Sequence, residues 1–419
     1  IAAILSDITS PAGSNVGATF ANPNLSPSND YTYITKFVQG WGGNIQKIRI
    51  DPTSGAPLAV IWDVEAQLTA QTTPSVPVPT PWYTERRVVT MNEGGAPVPF
   101  VRTSLGATQA STLGADATSQ DRVVEFLRGR RDNEGDDDGQ FRVRPSPLGD
   151  IVNSQPVLVG PPDWDFVDAT DPGYSSFKVA RAGRPTRLYV GANDGMLHAF
   201  DDTTGNEAWA FVPPDLYRKS PPAGNDKNGL LGLTYQPGGL PLYSHRYYVD
   251  ATPRVVDVDF GASSWRTLLV TGLGKGGNSY YALDVTDPAS ITDEASAASK
   301  VLWRFTDPDM GYTFGRPTIA KTRAHGWVVV VSAGYNNASG EGKLFVLRAS
   351  DGALLKTMST GAGSPASPSG LVHFSGYTQD YRNQVLEQIY AGDLFGNVWR
   401  FDLSDANDAN WVVEKFAVL

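Results

Sequence analysis

The sequence predicts an all-β protein, a modified β-propeller whose sheets are joined by turns, long loops and a few short helices. Its 419 residues include 43 glycines and 30 prolines, a content typical of chains with short strands and many turns. Several segments alternate apolar and polar residues with a period of two, as strands do. A similar strand–turn–strand outline then recurs along the chain, which indicates a fold built from repeats.

Five segments share an apolar strand, a turn containing Gly or Asn, an alternating strand and a second polar turn. Such turns supply the positive φ that a tight hairpin requires. A third strand follows in places, as in EAWAFV at 207–212, so each segment is predicted to form most of one propeller blade. The five segments are 36–55, 187–205, 267–287, 328–352 and 388–405.

The chain is predicted to form a single propeller domain over 1–419, with an entry segment at 1–35 and blades over 36–419. The repeats lie farther apart than the roughly 40–50 residues of simple propeller blades, so the blades carry long loops. A short helix is predicted at 119–129, and strands are predicted within 85–91 and 245–260. The long loops are predicted at 106–120, 212–241 and 358–384, and we expect binding at the last two.

Composition excludes several classes of function. The net charge of -10 and the lack of an extended Lys/Arg cluster argue against nucleic-acid binding. No apolar stretch is long enough to span a bilayer. The absence of cysteine excludes disulfides, thiolate metal sites and cysteine nucleophiles. The four histidines are scattered without helical pairing, which gives no support to a zinc site, and His198 is expected to be a packed or edge residue of a strand.

Five motifs, taken together and in order, resemble the carboxy-terminal domain of the PilY/PilC family of type IV pilus biogenesis factors and tip-associated adhesins. The resemblance covers nearly the whole chain. The motifs are FLRGRRDNEG at 126–135, LGDIVNSQPVLVG at 148–160, YVGANDGMLHAFD at 189–201, GLGKGGNSYYALDVTDP at 272–288 and IYAGDLFGNVWRFDLS at 389–404.

The resemblance implies a propeller of about seven blades in the full-length domain, and the chain is expected to end before the ring is complete. It implies a non-catalytic role in pilus assembly, in opposing retraction, and in attachment to host cells or abiotic surfaces, with links to twitching motility and virulence. The implied partners are minor pilins, other pilus components and a host receptor or surface. The implied location is the cell surface or pilus tip, reached through the periplasm and outer membrane.

Calcium is the cofactor that the resemblance suggests, because family members carry a loop of alternating acids just before the YAGDL motif. Here that region offers Asp380, Asn383 and Glu387, without the alternation or the Gly of a calcium loop. A second acidic run places Glu134, Asp136 and Asp138 at alternate positions before Gly139, but position 12 of that loop would be Pro145. An ordinary hairpin connection and a solvated acidic loop are the alternatives at these two places.

Two other classes of propeller remain as alternatives. AFDDTTGNEAWAF at 199–211 resembles the tryptophan-docking repeat of quinoprotein dehydrogenases, which carry pyrroloquinoline quinone (PQQ), but no set of quinone contacts is found and PQQ is not expected. Asp202, Gly205 and Trp209 are instead predicted to hold neighbouring blades together, with the Trp209 indole N–H donating to a backbone group. Asn193 and Asp194, before Gly195, predict a type I′ hairpin turn. A generic scaffold propeller is the second alternative.

Overall fold

The computed structural model describes residues 15–20, 30–72, 86–135, 137, 139–218, 229–236, 243–380 and 382–419. Within these ranges the chain forms five sheets. Each of the five repeated segments lies in a different sheet, so the predicted all-β class and its repeat are confirmed. The contacts within the chain divide it into two compact units.

The first unit comprises Ile1–Leu158, Thr186–Asp250 and Ile291–Ser299. Its first sheet follows chain order, and its second sheet has the strand order β6-β5-β10-β9-β8-β7, in which β5 runs parallel to β10. The first sheet consists of β1 Asn15–Phe20, β2 Tyr31–Val38, β3 Gly42–Ile50 and β4 Pro57–Asp63. The second consists of β5 Val88–Met91, β6 Pro97–Pro99, β7 Val157–Val159, β8 Arg187–Ala192, β9 Met196–Asp201 and β10 Glu207–Val212.

The second unit comprises Val159–Pro185, Ala251–Ser290 and Lys300–Leu419. It holds three four-stranded sheets, each in chain order. The third sheet consists of β11 Arg254–Asp259, β12 Trp265–Gly272, β13 Tyr280–Asp284 and β14 Val301–Phe305. The fourth consists of β15 Thr318–Thr322, β16 Gly326–Ser332, β17 Lys343–Arg348 and β18 Leu354–Ser359, and the fifth of β19 Phe374–Thr378, β20 Leu386–Gly392, β21 Asn397–Asp402 and β22 Val412–Val418.

Short helices lie in the connections between strands. They are α1 Val64–Thr72, α2 Ala107–Ser111, α3 Ala117–Leu127, α4 Tyr174–Ala180 and α5 Glu294–Ala298. Helix α3 begins after Asp116, whose carboxylate accepts a hydrogen bond from the main-chain N–H of Ser119, as N-cap residues do. None of the helices in the described ranges has the length and hydropathy needed to cross a membrane.

The cores of both units lie between consecutive sheets. In the first unit, the first and second sheets enclose a cluster that includes Tyr33, Trp62 and Phe200. In the second unit, one cluster lies between the third and fourth sheets and another between the fourth and fifth. Each large side chain buried in this way contributes about 1.5–3 kcal/mol, so sheet-on-sheet packing is the main source of stability.

Two loop predictions were wrong in part. Residues 106–120, predicted as an exposed connection, contain α2 and the start of α3. The segment 358–384, predicted as one loop, contains the end of β18 and the whole of β19. Strand β19 was missed because FSGYT has no turn signature of its own and gains its strand conformation by pairing with β20. The predicted entry segment at 1–35 contains β1 and the start of β2.

The turn between β8 and β9 differs from the predicted type I′ form. Ala192 pairs with Met196, so the loop has three residues, and among them only Gly195 has a positive φ, of 95°. A type I′ turn would need positive φ at both central residues, whereas three-residue hairpin loops place Gly at the last position. Asn193 and Asp194 therefore keep ordinary backbone angles, and their buried side chains are free to bind neighbouring segments.

Candidate functional site

The turn that follows β9 receives a tryptophan from the preceding sheet. Trp62, in β4, donates its indole N–H to the main-chain oxygen of Asp202 at 2.8 Å. A Cβ on Gly205, whose φ is 75°, would lie 2.8 Å from the Trp62 ring, so the indole packs directly against this glycine. The Asp–Gly turn is therefore the docking surface for a neighbouring sheet, as the sequence predicted for Asp202 and Gly205.

The same contact recurs in the second unit. Trp303, in β14, donates its indole N–H to the main-chain oxygen of Ala349 at 3.0 Å. A Cβ on Gly352, with a φ of 70°, would lie 2.6 Å from the Trp303 ring. Only the copy at 199–211 was predicted from the sequence, but within the described residues two sheet pairs use this contact.

Trp209 does not make the predicted hydrogen bond. Its side chain is buried, but its indole nitrogen has no hydrogen-bond partner among the described residues. The prediction was wrong because the tryptophan was expected within the repeat that carries the Asp and Gly. For that turn the tryptophan is Trp62, which precedes Asp202 by 140 residues.

The carboxylate of Asp202 adds a polar contact to this docking surface. Lys47 Nζ lies 2.9 Å from both carboxylate oxygens, and the Tyr33 hydroxyl donates to Oδ1 at 2.5 Å. Burial of Tyr33, together with the nearby Asp202 carboxylate, raises the pKa of this tyrosine well above its usual value. Because Lys47 and Tyr33 belong to the first sheet, they hold the second sheet at the same turn as Trp62.

A buried ionic cluster lies inside the second sheet. His198, in β9, is fully buried and lies between two carboxylates, with Nδ1 2.7 Å from Glu207 Oε1 and Nε2 3.1 Å from Asp194 Oδ2. Arg86 forms a bidentate pair with Glu207 at 2.6 and 2.8 Å. The cluster thus joins the turn before β9, the strand β10 and the segment that leads into β5.

The protonation of this cluster follows from its contacts. Burial alone would lower the pKa of His198, but the carboxylates of Asp194 and Glu207 outweigh it and raise the pKa to about 9. Burial would raise the pKa of Glu207, but Arg86 and His198 outweigh it and hold the pKa well below its usual range. His198 is therefore an imidazolium at neutral pH, with both nitrogens donating hydrogen bonds.

A second arginine connects the cluster to α5. The Arg128 guanidinium donates to Glu294 Oε1 and to the main-chain oxygen of Arg86, both at 2.6 Å. Arg86 in turn donates to the main-chain oxygen of Arg128 at 2.8 Å. The end of α3 is thereby fixed beside β5 and α5. This contact could not be predicted from the sequence because the partners are far apart in the chain.

The motif LGDIVNSQP at 148–156 forms a network of hydrogen bonds in the first unit, which we call the polar latch. Asp150 accepts from Asn193 Nδ2 at 2.9 Å and contacts His245 Nε2 at 2.8 Å. Asp250 accepts from the main-chain N–H and the side-chain amide of Asn153 at 2.9 and 2.5 Å. Burial, opposed by Asn153, raises the pKa of Asp250 to about 6. Residues 148–154 therefore join the turn before β9 to the segment before β11.

His245, which contacts Asp150 in this latch, also forms an aromatic pair with Trp41. The ring of His245 stacks on Trp41 with centroids 3.8 Å apart, and 41% of the Trp41 surface is exposed. Trp41 occupies the β2–β3 turn with a φ of 65°, a conformation that a bulky residue rarely adopts. The latch thus fixes an exposed aromatic side chain.

The first group of predicted calcium residues lies in the connection between β19 and β20 and at the start of β20. Asp380 accepts from the main-chain N–H of Arg382, Asn383 accepts from that of Val385, and Glu387 pairs with Arg323 at 2.6 Å. Among the described residues, no cluster of three or more His, Asp or Glu side chains is arranged to hold a metal ion. Calcium binding at Asp380, Asn383 and Glu387 stays a prediction.

The second acidic run is only partly described. The side chain of Glu134 is 5% exposed and pairs with Arg144 at 2.8 Å and with Arg131 at 3.2 Å. Burial lowers the pKa of Arg144 to about 10, although Glu134 opposes this shift. Asp136 and Asp138 lie outside the described residues. Glu134 is therefore engaged by two arginines, and a calcium ion would have to displace them.

Comparison with known proteins finds one family to which this chain is similar. A family model described as the PilY1 beta-propeller domain matches residues 148–415. The type IV pilus biogenesis factor PilY1 of Pseudomonas aeruginosa strain PAK is 34% identical over 418 residues, covering 93% of this chain and 33% of that protein. A PilY1 homolog of Xylella fastidiosa is 34% identical over 389 residues, covering 89% of this chain and 27% of that protein.

A solved structure is also similar. The crystal structure of the Pseudomonas aeruginosa PilY1 C-terminal domain matches with 35% identity and a TM-score of 0.46, covering 59% of this chain and 45% of that one. The chain spans about a third of the length of the Pseudomonas relative and less of the Xylella one.

Proposed function

The chain belongs to the PilY1 β-propeller family, and we propose on this basis that it is the propeller domain of a type IV pilus biogenesis factor. The match over residues 148–415 carries the proposal. We further propose that the domain acts at the cell surface or pilus tip, meets minor pilins and other pilus components, opposes retraction and attaches to host cells or surfaces.

The proposal includes a non-catalytic role. Two buried groups with the chemistry of an acid or base are committed to structure: His198 is fully buried between two carboxylates, and both oxygens of Asp250 accept hydrogen bonds from Asn153. Gly205, which the quinoprotein comparison singled out, packs on Trp62. These arrangements support a rigid scaffold that presents its surface.

The loop between β18 and β19 is the part of the surface that we propose for contact. Its tip, Ser364–Ser367, is exposed and closed by main-chain hydrogen bonds of 3.0 and 3.1 Å between its end residues. Its base is anchored, because the N–H of Ser369 donates to the oxygen of Gly340 at 2.7 Å. An exposed tip on an anchored base can bind a partner with little loss of conformational entropy.

Genetic replacement of the full-length protein tests this proposal. Wild-type protein, a version lacking residues 148–415, Ala366→Arg and Thr53→Arg are each expressed in a strain without the native gene. Both arginines are placed in exposed turns, where a substitution changes stability by less than about 0.5 kcal/mol. Surface pili and attachment are counted at equal protein levels.

We expect the deletion to abolish pili, and Ala366→Arg to reduce attachment while Thr53→Arg does not. Normal pili in the deletion strain would overturn the pilus-biogenesis proposal. Normal attachment with Ala366→Arg would overturn only the role of the tip.

Calcium binding is proposed separately at Asp380, Asn383 and Glu387. Isothermal titration with CaCl₂ measures it directly, and Asp380→Ala should remove the heat because it deletes one ligand. Asp51→Ala is a matched control, since Asp51 also caps its own turn through main-chain N–H groups. No heat with the wild-type protein would show that the predicted site does not bind calcium.

A further inference from the structure

A pocket of about 260 Å³ lies in the second unit, where the first strands of three consecutive sheets meet. Strand β11 contributes Arg254, and β15 and β19 contribute residues to the walls. A second arginine, Arg316, lies two residues before β15 and also lines the pocket. Neither arginine belongs to the latch, the docking turns or the ionic cluster described above.

The two arginines lack acidic partners. Arg254 is half-buried, and within the described ranges no carboxylate lies within 4.0 Å of either guanidinium. Burial, reinforced by the neighbouring positive charge of Arg316, lowers the pKa of Arg254. Arginine nevertheless stays charged in proteins, so two cations share this pocket without a counter-charge.

Acids close in sequence have other partners. Asp257, in β11, accepts from the Tyr174 hydroxyl at 2.8 Å and from Thr267 Oγ1 at 2.6 Å. Glu387, beside the pocket residue Leu386, pairs with Arg323 at 2.6 Å. Because buried charges are normally paired, the half-buried Arg254 is left without a partner from these acids, and the exposed Arg316 beside it adds a second positive charge.

The remaining walls define what else the pocket can hold. One group of lining residues is apolar: Pro317, Ile319, Ala320, Phe374 and Leu386. Another group carries hydroxyl or amide groups: Thr318, Ser375, Thr378 and Gln384. Apolar walls with a few convergent polar groups are typical of sites for small organic molecules, and guanidinium groups are the preferred partners of carboxylate and phosphate.

We propose that this pocket binds a small organic anion, whose carboxylate or phosphate group lies between Arg254 and Arg316 and whose apolar body packs on Phe374 and Ile319. The anion neutralises both guanidinium groups, and Thr318 and Ser375 add hydroxyl groups to the lining of the pocket. The site goes beyond the pilus role, since nothing in that role requires a small-molecule ligand.

Calorimetric titration of the purified chain tests the proposal with four probes. Phenyl phosphate and benzoate carry both the charge and an apolar body, inorganic phosphate carries only the charge, and benzyl alcohol carries only the body. We expect saturable one-to-one binding of phenyl phosphate or benzoate, and at least about tenfold weaker binding of the other two, because each lacks one set of contacts. The comparison of phenyl phosphate with benzoate identifies the anionic group.

Three variants assign the site. Arg254→Gln and Arg316→Gln should each weaken binding at least about tenfold, the loss expected for a charged hydrogen bond. Arg348→Gln, at an exposed arginine of the same unit, should leave binding unchanged. Arg316 is itself exposed, so its variant decides the matter if Arg254→Gln does not fold.

Several results would overturn the proposal. They are the absence of saturable binding of both organic anions, equal weakening by Arg348→Gln, or equal affinity for inorganic phosphate, which would show that the apolar wall plays no part.

Discussion

His198 shows how the charge of one side chain depends on the neighbours that the fold brings to it. In the sequence it stands between Leu197 and Ala199 in an alternating strand, and packing in a strand was all that this position predicted. In the structure it is packed as expected, but Asp194 and Glu207 also hold its imidazolium form. Glu207 is nine residues away and lies on the next strand, so strand pairing creates the site.

The raised pKa of His198 predicts how stability depends on pH. The unfolded histidine has a pKa of 6.5 and the folded one about 9. The charged interaction therefore contributes fully below about pH 6.5 and is lost as the pH rises through 9, with a magnitude on the order of 3 kcal/mol. Urea unfolding between pH 6 and pH 9.5 should show this decline in the wild-type protein.

His198→Gln should flatten that pH dependence, because glutamine does not titrate. The exposed histidine His373 provides the control, and His373→Gln should retain the wild-type decline. An unchanged slope in His198→Gln would show that another group causes the loss of stability at high pH.

Two buried tryptophans form a matched pair for measuring the docking hydrogen bond. Trp62 donates to the main-chain oxygen of Asp202, whereas Trp209 has no acceptor among the described residues. Both side chains are at most 4% exposed. Tryptophan-to-phenylalanine changes remove a similar volume at each position, so Trp62→Phe should cost about 1 kcal/mol more than Trp209→Phe in chemical unfolding. Equal losses would show that the indole hydrogen bond adds nothing to docking.

At the scale of elements, the docking turn requires glycine at position 205 for two separate reasons. Gly205 has a positive φ, and its missing Cβ makes room for the Trp62 ring. Gly55, in another hairpin turn of the same unit, has a positive φ of 71° but open space around it. The comparison separates backbone strain from steric contact.

Gly55→Ala should therefore cost about 1–2 kcal/mol from backbone strain alone, whereas Gly205→Ala should cost about 3 kcal/mol or more because Trp62 must also move. Gly326 and Gly352 provide the same comparison in the second unit, since Gly326 has open space around it and Gly352 contacts Trp303. Thermal and urea unfolding of the four variants measure these differences. If Gly205→Ala and Gly55→Ala lose the same stability, the ring contact is not tight.

Hairpins were predictable from sequence, whereas strand β19 was missed and the partner of β5 could not be predicted. Turns such as 193–195 contain residues that favour the backbone angles of a turn, so the flanking strands β8 and β9 could be predicted from the sequence. Strand β19 follows a stretch rich in Gly, Pro and Ser, so the whole of 358–384 was predicted as loop. Strand β5 joins its sheet by parallel pairing with β10, 120 residues away or more. Local patterns do not specify such distant pairing.

At the scale of the whole molecule, repetition was the decisive signal. Five imperfect copies of one outline predicted the sheets, and the family match confirms that the fold is a modified β-propeller. Contacts between sheets could not be predicted in the same way. The docking turn at Gly205 was identified, but Trp62 was not, because the sequence does not state which strand packs beside which turn.

The net charge of the chain leads to a last prediction about attachment. With a charge of -10 at pH 7, the protein is repelled by anionic surfaces over a Debye length of about 30 Å at 0.01 M salt and about 10 Å at 0.1 M. The rate of attachment to a carboxylated sensor surface should therefore rise with salt, and the rate of attachment to an aminated one should fall.

Ala366→Arg changes the net charge by only one, so its salt dependence should match that of the wild type even where its attachment is weaker. A salt dependence that changes greatly in this variant would show that the tip charge, rather than the charge of the whole molecule, governs the approach. Surface plasmon resonance on the two surfaces separates the approach rate from the strength of attachment, so long-range charge and local contact can be assigned independently.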